Sequence, residues 1–322
     1  MRTVVLGYHG MGCLGLEALL AHGYEVAAVA THRDDPHEEV WWPSLAALAE
    51  RHRIPVSYPE SGSDPAIGRL VAEAEPDVLF SFYFRWMLPA AVLEVSPRGA
   101  FNLHGSLLPR YRGRAPVNWV LVHGETETGV SLHRMVAKPD AGDLVAHERV
   151  AIAPLDTAFT LFRKLEGAAR RVLDRALPAI AAGSVPSTPL DLAAGSYFGG
   201  RKPADGAIDW GWPARRIFDL VRAVTHPYPG AFTTLGEARL LVWWALAEEA
   251  PRDAAVDAAP GTVLAVDPTG VLVATGEGVL RLVTIQRAGE PELPAAALAP
   301  LAGLVPGAVL GAAPAAQLAE SP

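Results

Sequence analysis

The sequence predicts an α/β protein in which a Rossmann-like amino-terminal domain precedes a smaller, open β-barrel of the OB-like kind. Three observations support this prediction. Short apolar segments alternate with amphipathic segments through the first half of the chain, which is typical of a parallel sheet covered on both faces. The hydrophobic period changes to two in the second half, as in antiparallel strands. Between Gly183 and Gly206 the chain is rich in Pro, Gly and Ser, as linkers are.

The first domain is predicted to span residues 1–190 and is followed by a linker at 191–205. Its strands are expected at residues 3–7, 25–31, 78–82, 100–104, 129–135 and 144–152. Its helices are expected at residues 15–22, 44–53, 64–74, 116–123 and 157–182. Pro116 at a first turn and Gly124 just past an end are favourable helix boundaries.

The second domain is predicted to span residues 206–305. One helix at 213–223 precedes short strands at 231–234, 239–246, 261–266, 271–275 and 279–286, separated by turn residues. Five short antiparallel strands favour a small barrel. Residues 306–322 are expected to form a flexible tail.

Composition excludes several classes of protein. The 322 residues are 50% hydrophobic, and Lys+Arg 27 against Asp+Glu 35 gives a net charge of -8 without a basic stripe for nucleic acid. The single cysteine, Cys13, excludes an intrachain disulfide and a multi-cysteine metal site. No secretory signal is evident, and prolines interrupt the apolar stretch 294–319 too often for a membrane span. We therefore expect a cytoplasmic protein whose partner is a small molecule; its oligomeric state stays open.

A glycine-rich segment follows the first predicted strand, with Gly10, Gly12 and Gly15 in the pattern G-x-G-x-x-G. Asp34 lies about 20 residues further on, where the ribose-binding acid of a dinucleotide site would stand. The pattern is compatible with a dehydrogenase, with tight packing of the first helix, or with a phosphate held by exposed amides. We expect packing or phosphate binding, and no NAD.

Asn102 and His104 lie two residues apart at the end of a predicted strand, so their side chains leave the same face about 7 Å apart. The carboxyl ends of strands border the ligand crevice of a doubly wound sheet. Histidine supplies a base that titrates near neutrality, and an asparagine amide can donate to a carbonyl oxygen under attack. The pair fits acyl transfer to a nucleophile with a removable proton. An ordinary hydrogen-bonded pair is the simpler alternative.

The context of this pair resembles a known family. Residues 101–116, 128–135 and 138–143 resemble the folate-dependent formyltransferases, whose signature is a His-x-Ser-Leu-Leu-Pro core followed by Asp-x-Gly. Further runs at 8–15, 81–85, 118–122, 124–129 and 227–232 are similar to the branch that formylates UDP-4-amino-4-deoxy-L-arabinose in lipid A modification and polymyxin resistance. The resemblance covers residues 1–305 and implies the Rossmann-like fold with a carboxyl-terminal barrel.

The resemblance also implies chemical roles. His104 would be the general base or proton shuttle, Asn102 would stabilise the oxyanion, and Asp140 would orient His104 and make it a better base. A carboxylate beside an imidazole favours the imidazolium that forms when the amine loses its proton. Asp143 is a rival acid, but the motif places the acid first in Asp-Ala-Gly. The co-substrate would be 10-formyltetrahydrofolate, no metal is implied, and His133 is expected to be structural.

Binding residues follow from the same resemblance. The folate site would comprise Trp86, Met87, Leu88, Arg114, Val136, Ala137, Lys138, Pro139 and Asp140. These segments can give a flat pterin its backbone hydrogen bonds and apolar slot. Trp86 replaces a smaller ring of the branch, so a core-filling role is an alternative there. Charge suggests further candidates for the nucleotide, namely glycine amides and a strip of arginines in the 110–114 loop: Gly10, Gly12, Arg110, Arg112 and Arg201. The arginine strip could instead pair with the folate glutamate, or it could be a solvated loop.

Two other functions stay open. A methionyl-tRNA formyltransferase would share the two-domain plan, but residues 205–305 carry Arg 7 against Asp+Glu 12, which would repel a phosphate backbone. A non-catalytic nucleotide-sugar or folate-binding protein would lack a catalytic position, and all three are present. The resembled branch continues into a UDP-glucuronic acid decarboxylase module, whereas this chain ends at Pro322. A stand-alone transferase and a fragment are both compatible with that ending.

Overall fold

The computed structural model describes residues 1–36, 38–248 and 258–311. The chain forms two compact units. The first comprises Met1–Pro116, Thr126–Ile152 and Leu161–Gly200, and the second comprises Val117–Glu125, Ala153–Thr160 and the chain from Arg201 onward. The sequence predicts two continuous domains, whereas the second unit includes two earlier stretches. They belong there because Asn118 Nδ2 donates to the Ala223 carbonyl at 2.8 Å and Arg222 Nη1 to that of Asp156 at 3.2 Å.

Nine strands lie among the described residues of the first unit. They are β1 (Arg2–Gly7), β2 (Glu25–Ala30), β3 (Val56–Ser57), β4 (Val78–Phe82), β5 (Ala100–His104), β6 (Arg112–Gly113), β7 (Glu127–Arg134), β8 (Leu144–Ala151) and β9 (Tyr197–Phe198). Seven of them form one sheet in the order β3-β2-β1-β4-β5-β7-β8. The first five in that order run parallel, and β7 pairs antiparallel with both β5 and β8. Buried apolar residues fill β1 and β4, as expected where helices cover both faces of a parallel sheet.

The helices up to residue 200 connect these strands. They are α1 (His9–Ala21), α2 (Leu45–Arg51), α3 (Pro65–Ala74), α4 (Ala90–Leu93), α5 (Pro116–Val122) and α6 (Ala158–Ala182). Ser44 and Asp64 cap α2 and α3 by accepting a backbone N–H from the first turn. In the described part of the chain, no helix is both long enough and apolar enough to cross a membrane.

Helix α1 begins earlier than predicted. The sequence places its start at Gly15, after a glycine turn, but the helix starts at His9 and contains all three glycines. The Gly12 amide donates to the Tyr8 carbonyl at 3.0 Å, so this part of the expected turn is already helical. An ideal Cβ on Gly15 would lie 2.2 Å from Phe82 Cδ2. The glycines therefore let the helix lie directly on β4.

The predicted linker contains ordered structure. Residues 191–205 include two 3₁₀ turns (Leu192–Ala194 and Pro203–Gly206) and strand β9, which pairs parallel with β6. The Ser196 carbonyl accepts from the Arg112 amide at 3.0 Å, and Ser196 Oγ accepts from the Tyr111 amide at 2.8 Å. The boundary between the two units falls within the predicted linker, and the linker is ordered because its residues satisfy backbone donors of the 111–114 loop.

The second unit contains an antiparallel sheet. Its elements after residue 200 are α7 (Ala214–Val224), β10 (Ala231–Leu235), β11 (Ala238–Glu248), β12 (Val263–Asp267), β13 (Gly270–Ala274), β14 (Val279–Arg287), β15 (Glu292–Pro294) and α8 (Ala295–Ala302). The strand order is β10-β11-β14-β13-β12, with β15 paired to β14. The five predicted strands are present, and β15 is an addition.

Part of the predicted tail belongs to this sheet. The Gly307 amide donates to Val263 in β12 at 2.8 Å, and the Gly311 amide donates to Thr234 in β10 at 2.8 Å. Leu310 is 2% exposed. The expectation of a flexible tail is therefore wrong for residues 306–311, which hydrogen-bond to both edge strands of the sheet. Residues 312–322 lie outside the described residues.

Candidate active site

Strand β5 presents the two residues that the sequence singles out. Asn102 pairs in register with Ser81 of β4 and with His133 of β7. His104 follows two residues later, at the carboxyl end of the strand, and is 6% exposed. Both side chains therefore leave the same face of the sheet, as predicted, at the edge where parallel strands end.

Asp140 joins this pair from the segment after β7. Its Oδ2 accepts from the Gly113 amide at 2.8 Å and lies 3.7 Å from His104 Nδ1. Its Oδ1 accepts from Asn102 Nδ2 at 3.3 Å. The structure thus brings the three predicted catalytic side chains together around one carboxylate.

The backbone that carries Asp140 is strained. Asp140 has φ 46°, a left-handed conformation that non-glycine residues rarely adopt. A Cβ on Gly142 would lie 2.0 Å from the Arg134 carbonyl oxygen, so the segment can turn back against β7 only with glycine there. The Asp-Ala-Gly motif therefore has a geometric role in aiming the carboxylate at β5.

Asp140 is held in its charged form. Burial by itself would raise the pKa of this carboxyl, but the nearby His104 and His133 imidazoles and the Gly113 amide together hold the pKa well below its usual range. The carboxylate is thus ionised at neutral pH, and it can stabilise a positive charge that appears on a neighbouring imidazole.

The hydrogen bond of His104 identifies the nitrogen that can accept a proton. His104 Nε2 lies 2.7 Å from the Tyr111 carbonyl oxygen, which can only accept, so Nε2 carries the hydrogen. The lone pair of the neutral ring is therefore on Nδ1, the atom that faces Asp140. Ser106 Oγ donates to the Arg110 carbonyl at 2.7 Å and supports the loop that supplies the Tyr111 carbonyl.

The Asp140 network includes His133, for which the sequence predicts a structural role. His133 is 2% exposed, and its Nε2 lies 3.3 Å from Asp140 Oδ1 and 3.1 Å from Asn102 Nδ2. The sequence predicts both β5 and β7, but it does not predict the register in which they pair. That register places His133 beside Asn102. The signal available in the sequence was its position inside the family-like run 128–135.

Two segments border the predicted pterin slot. Leu88, next to Trp86 and Met87, is buried in the same core cluster against which Met135 packs. Met87 and Val136, one residue away from each, are 49% and 42% exposed. Two segments distant in sequence thus share a core, and each leaves an apolar side chain, Met87 or Val136, exposed. Trp86 is half-buried, with its ring edge-on to His32 at 4.3 Å.

The remaining folate candidates lie on the surface around these segments. Arg114, Ala137 and Lys138 are exposed, and Pro139 is half-buried beside Asp140. The Arg114 amide donates to the Phe198 carbonyl at 2.9 Å, which fixes its backbone and leaves the guanidinium at the surface.

The three loop arginines do not form the expected strip. Arg110 and Arg114 are exposed, whereas Arg112 is 9% exposed and its Nε has no hydrogen-bond partner among the described residues. Positive φ values of 57° at Tyr111 and 96° at Gly113 interrupt the extended backbone, so alternate residues no longer share a face. Arg201 lies in the second unit, 4.6 Å above the Trp119 ring, and donates to the Asp205 carbonyl.

The glycine-rich segment has a packing role in this structure. A Cβ on Gly10 would lie 2.7 Å from Glu166 Oε1, and a Cβ on Gly12 would lie 3.0 Å from Leu45 Cδ2. Asp34, the candidate ribose-binding acid, accepts from the Tyr8 hydroxyl at 2.7 Å. The Gly12 amide donates within α1 and is therefore not available to a phosphate, and the Glu166 carboxylate lies beside the Cα of Gly10.

The chain matches the family described as formyl transferase over residues 16–177, and the formyl transferase C-terminal domain over residues 201–300. It therefore belongs to the formyl transferase family. This membership confirms the predicted fold class and the predicted enzyme class, a formyltransferase.

Solved structures share the fold at low identity. HypX from Aquifex aeolicus in complex with tetrahydrofolic acid is 20% identical, with TM-score 0.59 over 93% of this chain and 47% of HypX. WlaRD, a sugar 3N-formyl transferase solved with dTDP and 5-N-formyl-THF, is 17% identical, with TM-score 0.66 over 90% and 99% of the two chains. An N-formyltransferase from Helicobacter canadensis, solved with folinic acid and dTDP-3-aminofucose, is 17% identical, with TM-score 0.67 over 89% and 99%. The chain thus spans less than half of HypX and nearly the whole of the other two.

Proposed function

We propose that the protein transfers the formyl group of 10-formyltetrahydrofolate to the amine of a nucleotide-linked amino sugar. We further propose that UDP-4-amino-4-deoxy-L-arabinose, a sugar used in lipid A modification, is the preferred acceptor. The observation that carries this proposal is the convergence of Asn102, His104 and Asp140. A base with a free lone pair, a carboxylate to stabilise its charged form and an amide beside it are the groups that acyl transfer to an amine needs.

The proposed reaction begins with the neutral amine. Its nitrogen lone pair attacks the formyl carbon, the carbonyl opens to an oxyanion near Asn102, and a proton passes from the amine nitrogen to His104 Nδ1. Asp140 stabilises the imidazolium because its carboxylate lies 3.7 Å from Nδ1. Collapse of the oxyanion breaks the bond between the formyl carbon and folate N10, and the His104 proton goes to N10. The products are the formamide and tetrahydrofolate.

Several features support the donor and the handle of the acceptor. The exposed apolar side chains of Met87 and Val136 suit a flat pterin. Arg112 offers a buried guanidinium whose Nε has no partner in the described residues, and guanidinium groups pair well with phosphate oxygens. The solved WlaRD and Helicobacter canadensis enzymes hold dTDP or a dTDP-sugar. We infer that a nucleoside diphosphate fixes the sugar, since the reacting amine itself must be uncharged.

The proposed acceptor is tested by measuring turnover with a panel of acceptors. UDP-4-amino-4-deoxy-L-arabinose, dTDP-linked 3-amino and 4-amino sugars and charged initiator methionyl-tRNA are each incubated with 10-formyltetrahydrofolate, and mass spectrometry records the gain of one formyl group. An N-acetylated nucleotide sugar is the control for attack by the amine. We expect the UDP sugar to react fastest and the tRNA to be inert, because residues 205–305 carry an excess of acidic side chains. Comparable turnover of the tRNA at physiological salt would reject the proposal.

A further inference from the structure

Tyr197 in β9 presents an exposed aromatic ring. The chain has seven tyrosines, and six of them have a ring-contact, cation–π or hydrogen-bond partner: Tyr8, Tyr24, Tyr58, Tyr83, Tyr111 and Tyr228. Tyr197 has none of these partners among the residues that the structure describes, and it is 55% exposed. Its ring and its hydroxyl are therefore both accessible to a ligand.

The backbone that carries this ring is fixed. The Ser196 carbonyl accepts from the Arg112 amide at 3.0 Å, which pairs β9 with β6. The next residue, Phe198, stacks on the Tyr111 ring at 5.2 Å with 20° between the two planes. Tyr197 thus belongs to an ordered strand, so a ligand would not have to order this segment in order to contact the ring.

The Tyr197 ring lies beside the peptide that holds Asp140. A Cβ on Gly113 would lie 3.0 Å from Tyr197 Cε2, so the edge of the ring is against the Gly113 Cα. The Gly113 amide donates to Asp140 Oδ2 at 2.8 Å. With standard bond lengths, Cε2 is therefore no more than about 9 Å from that carboxylate oxygen. One small molecule can contact the ring and the proposed catalytic group at the same time.

The neighbour of Tyr197 across the strand pair indicates which substrate this is. In register with Tyr197 is Arg112, whose buried guanidinium the proposed function assigns to the phosphates of the acceptor. The sugar joins those phosphates to the reacting amine, so it would lie between Arg112 and Asp140. A sugar ring has apolar C–H faces and a rim of hydroxyl groups, and a tyrosine offers an apolar ring with a hydroxyl at its tip.

We propose that Tyr197 binds the sugar of the acceptor, with its aromatic ring against a C–H face of the sugar and its hydroxyl available to a sugar hydroxyl. This inference rests on the proposed function, since it requires an amino-sugar acceptor. Tyr197 has no part in proton transfer. Loss of the ring should therefore weaken the binding of the acceptor and leave the rate of formyl transfer in the bound complex unchanged.

The first test measures binding without reaction. The full chain is titrated by calorimetry with UDP-4-amino-4-deoxy-L-arabinose in the absence of 10-formyltetrahydrofolate, and separately with UDP. Tyr197→Ala should weaken the binding of the sugar nucleotide about tenfold, as expected for one lost aromatic contact, and leave the binding of UDP unchanged. Tyr197→Phe should keep most of the affinity. The matched control is Tyr58→Ala, at a residue that follows the edge strand β3, and it should change neither affinity.

The second test separates the acceptor from the donor by steady-state kinetics, with whichever nucleotide sugar of the acceptor panel reacts fastest. In Tyr197→Ala the KM for the acceptor should rise about tenfold, while kcat and the KM for the folate stay within about twofold of the wild type. Thermal melting identifies any variant that has lost its fold. If Tyr197→Ala does not fold, Tyr197→Thr removes the ring with a residue that favours strands.

Three results would overturn the proposal. Equal losses of affinity for UDP and for the sugar nucleotide would show that the ring contacts the base. A rise in the KM for the folate alone would show that the ring contacts the donor. Unchanged affinities in Tyr197→Ala would show that it contacts neither. Binding of nucleotide sugars by the wild type without formyl transfer would count against the proposed function alone, whereas failure to bind any nucleotide sugar would reject both.

Discussion

Substitution of Asp140 by asparagine tests the core of the proposed mechanism. An asparagine side chain has the same shape and can still accept from the Gly113 amide, but it removes the negative charge that lies 3.7 Å from His104 Nδ1. At an effective dielectric constant of about 20, this charge stabilises the imidazolium by about 4.5 kcal/mol. A difference of about 1.4 kcal/mol is tenfold in rate, so kcat should fall by about 10³-fold.

The assay is the release of tetrahydrofolate at saturating acceptor, together with the binding of 10-formyltetrahydrofolate by calorimetry. Folate binding should persist in Asp140→Asn and in His104→Ala, because neither side chain supplies most of the proposed pterin contact. Thermal melting controls for loss of the fold. A kcat within tenfold of the wild type would show that the charge of Asp140 does not assist the base, and it would refute the proposed mechanism.

Three other predictions follow from the fold. Gly15→Ala should lower the free energy of unfolding by about 2 kcal/mol, because the new Cβ would lie 2.2 Å from Phe82 Cδ2. The control Gly68→Ala in α3 has nothing within 4 Å of its Cβ and should be neutral or stabilising. Urea denaturation measures both free energies. Burial lowers the pKa of His9 to about 3, so below pH 6.5 the unfolded chain binds more protons than the folded chain. The free energy of unfolding should therefore fall on acidification towards pH 4. His9→Asn should reduce this fall, and the control variant His52→Gln should not. Calorimetry should detect no saturable NAD binding, because the Tyr8 hydroxyl already donates to Asp34, the candidate ribose-binding acid. A micromolar affinity for NAD would instead support the dehydrogenase hypothesis.

The sequence predicts the central strands well and their surroundings less well. The bounds of β4 and β5 agree with the prediction, because each is a short apolar run between turn residues. The start of α1 was missed because glycine normally interrupts helices, whereas here close packing against Phe82 requires it. The pairing of β6 with β9 was missed because two-residue strands have no detectable hydrophobic period.

The candidate site shows the same division between chemistry and geometry. Asn102, His104 and Asp140 were identified from their motifs, and the structure places them in contact. The position of His133 depends on the register between β5 and β7, and a long connection separates those strands, so no turn rule sets that register. Likewise, the burial of Arg112 depends on left-handed backbone at neighbouring residues, which residue type alone does not reveal.

The Asp140 site depends on backbone groups as much as on side chains. The Tyr111 carbonyl fixes the ring of His104, and the Gly113 amide fixes the carboxylate of Asp140. Both groups lie in a loop with left-handed residues, and the Ser196 side chain and β9 hold that loop in place. Gly113 cannot be replaced without strain, since its φ is 96° and a Cβ would lie 2.2 Å from the Phe198 carbonyl oxygen. The segment that composition marks as a linker therefore sets the geometry in which His104 presents Nδ1, and not Nε2, to the proton.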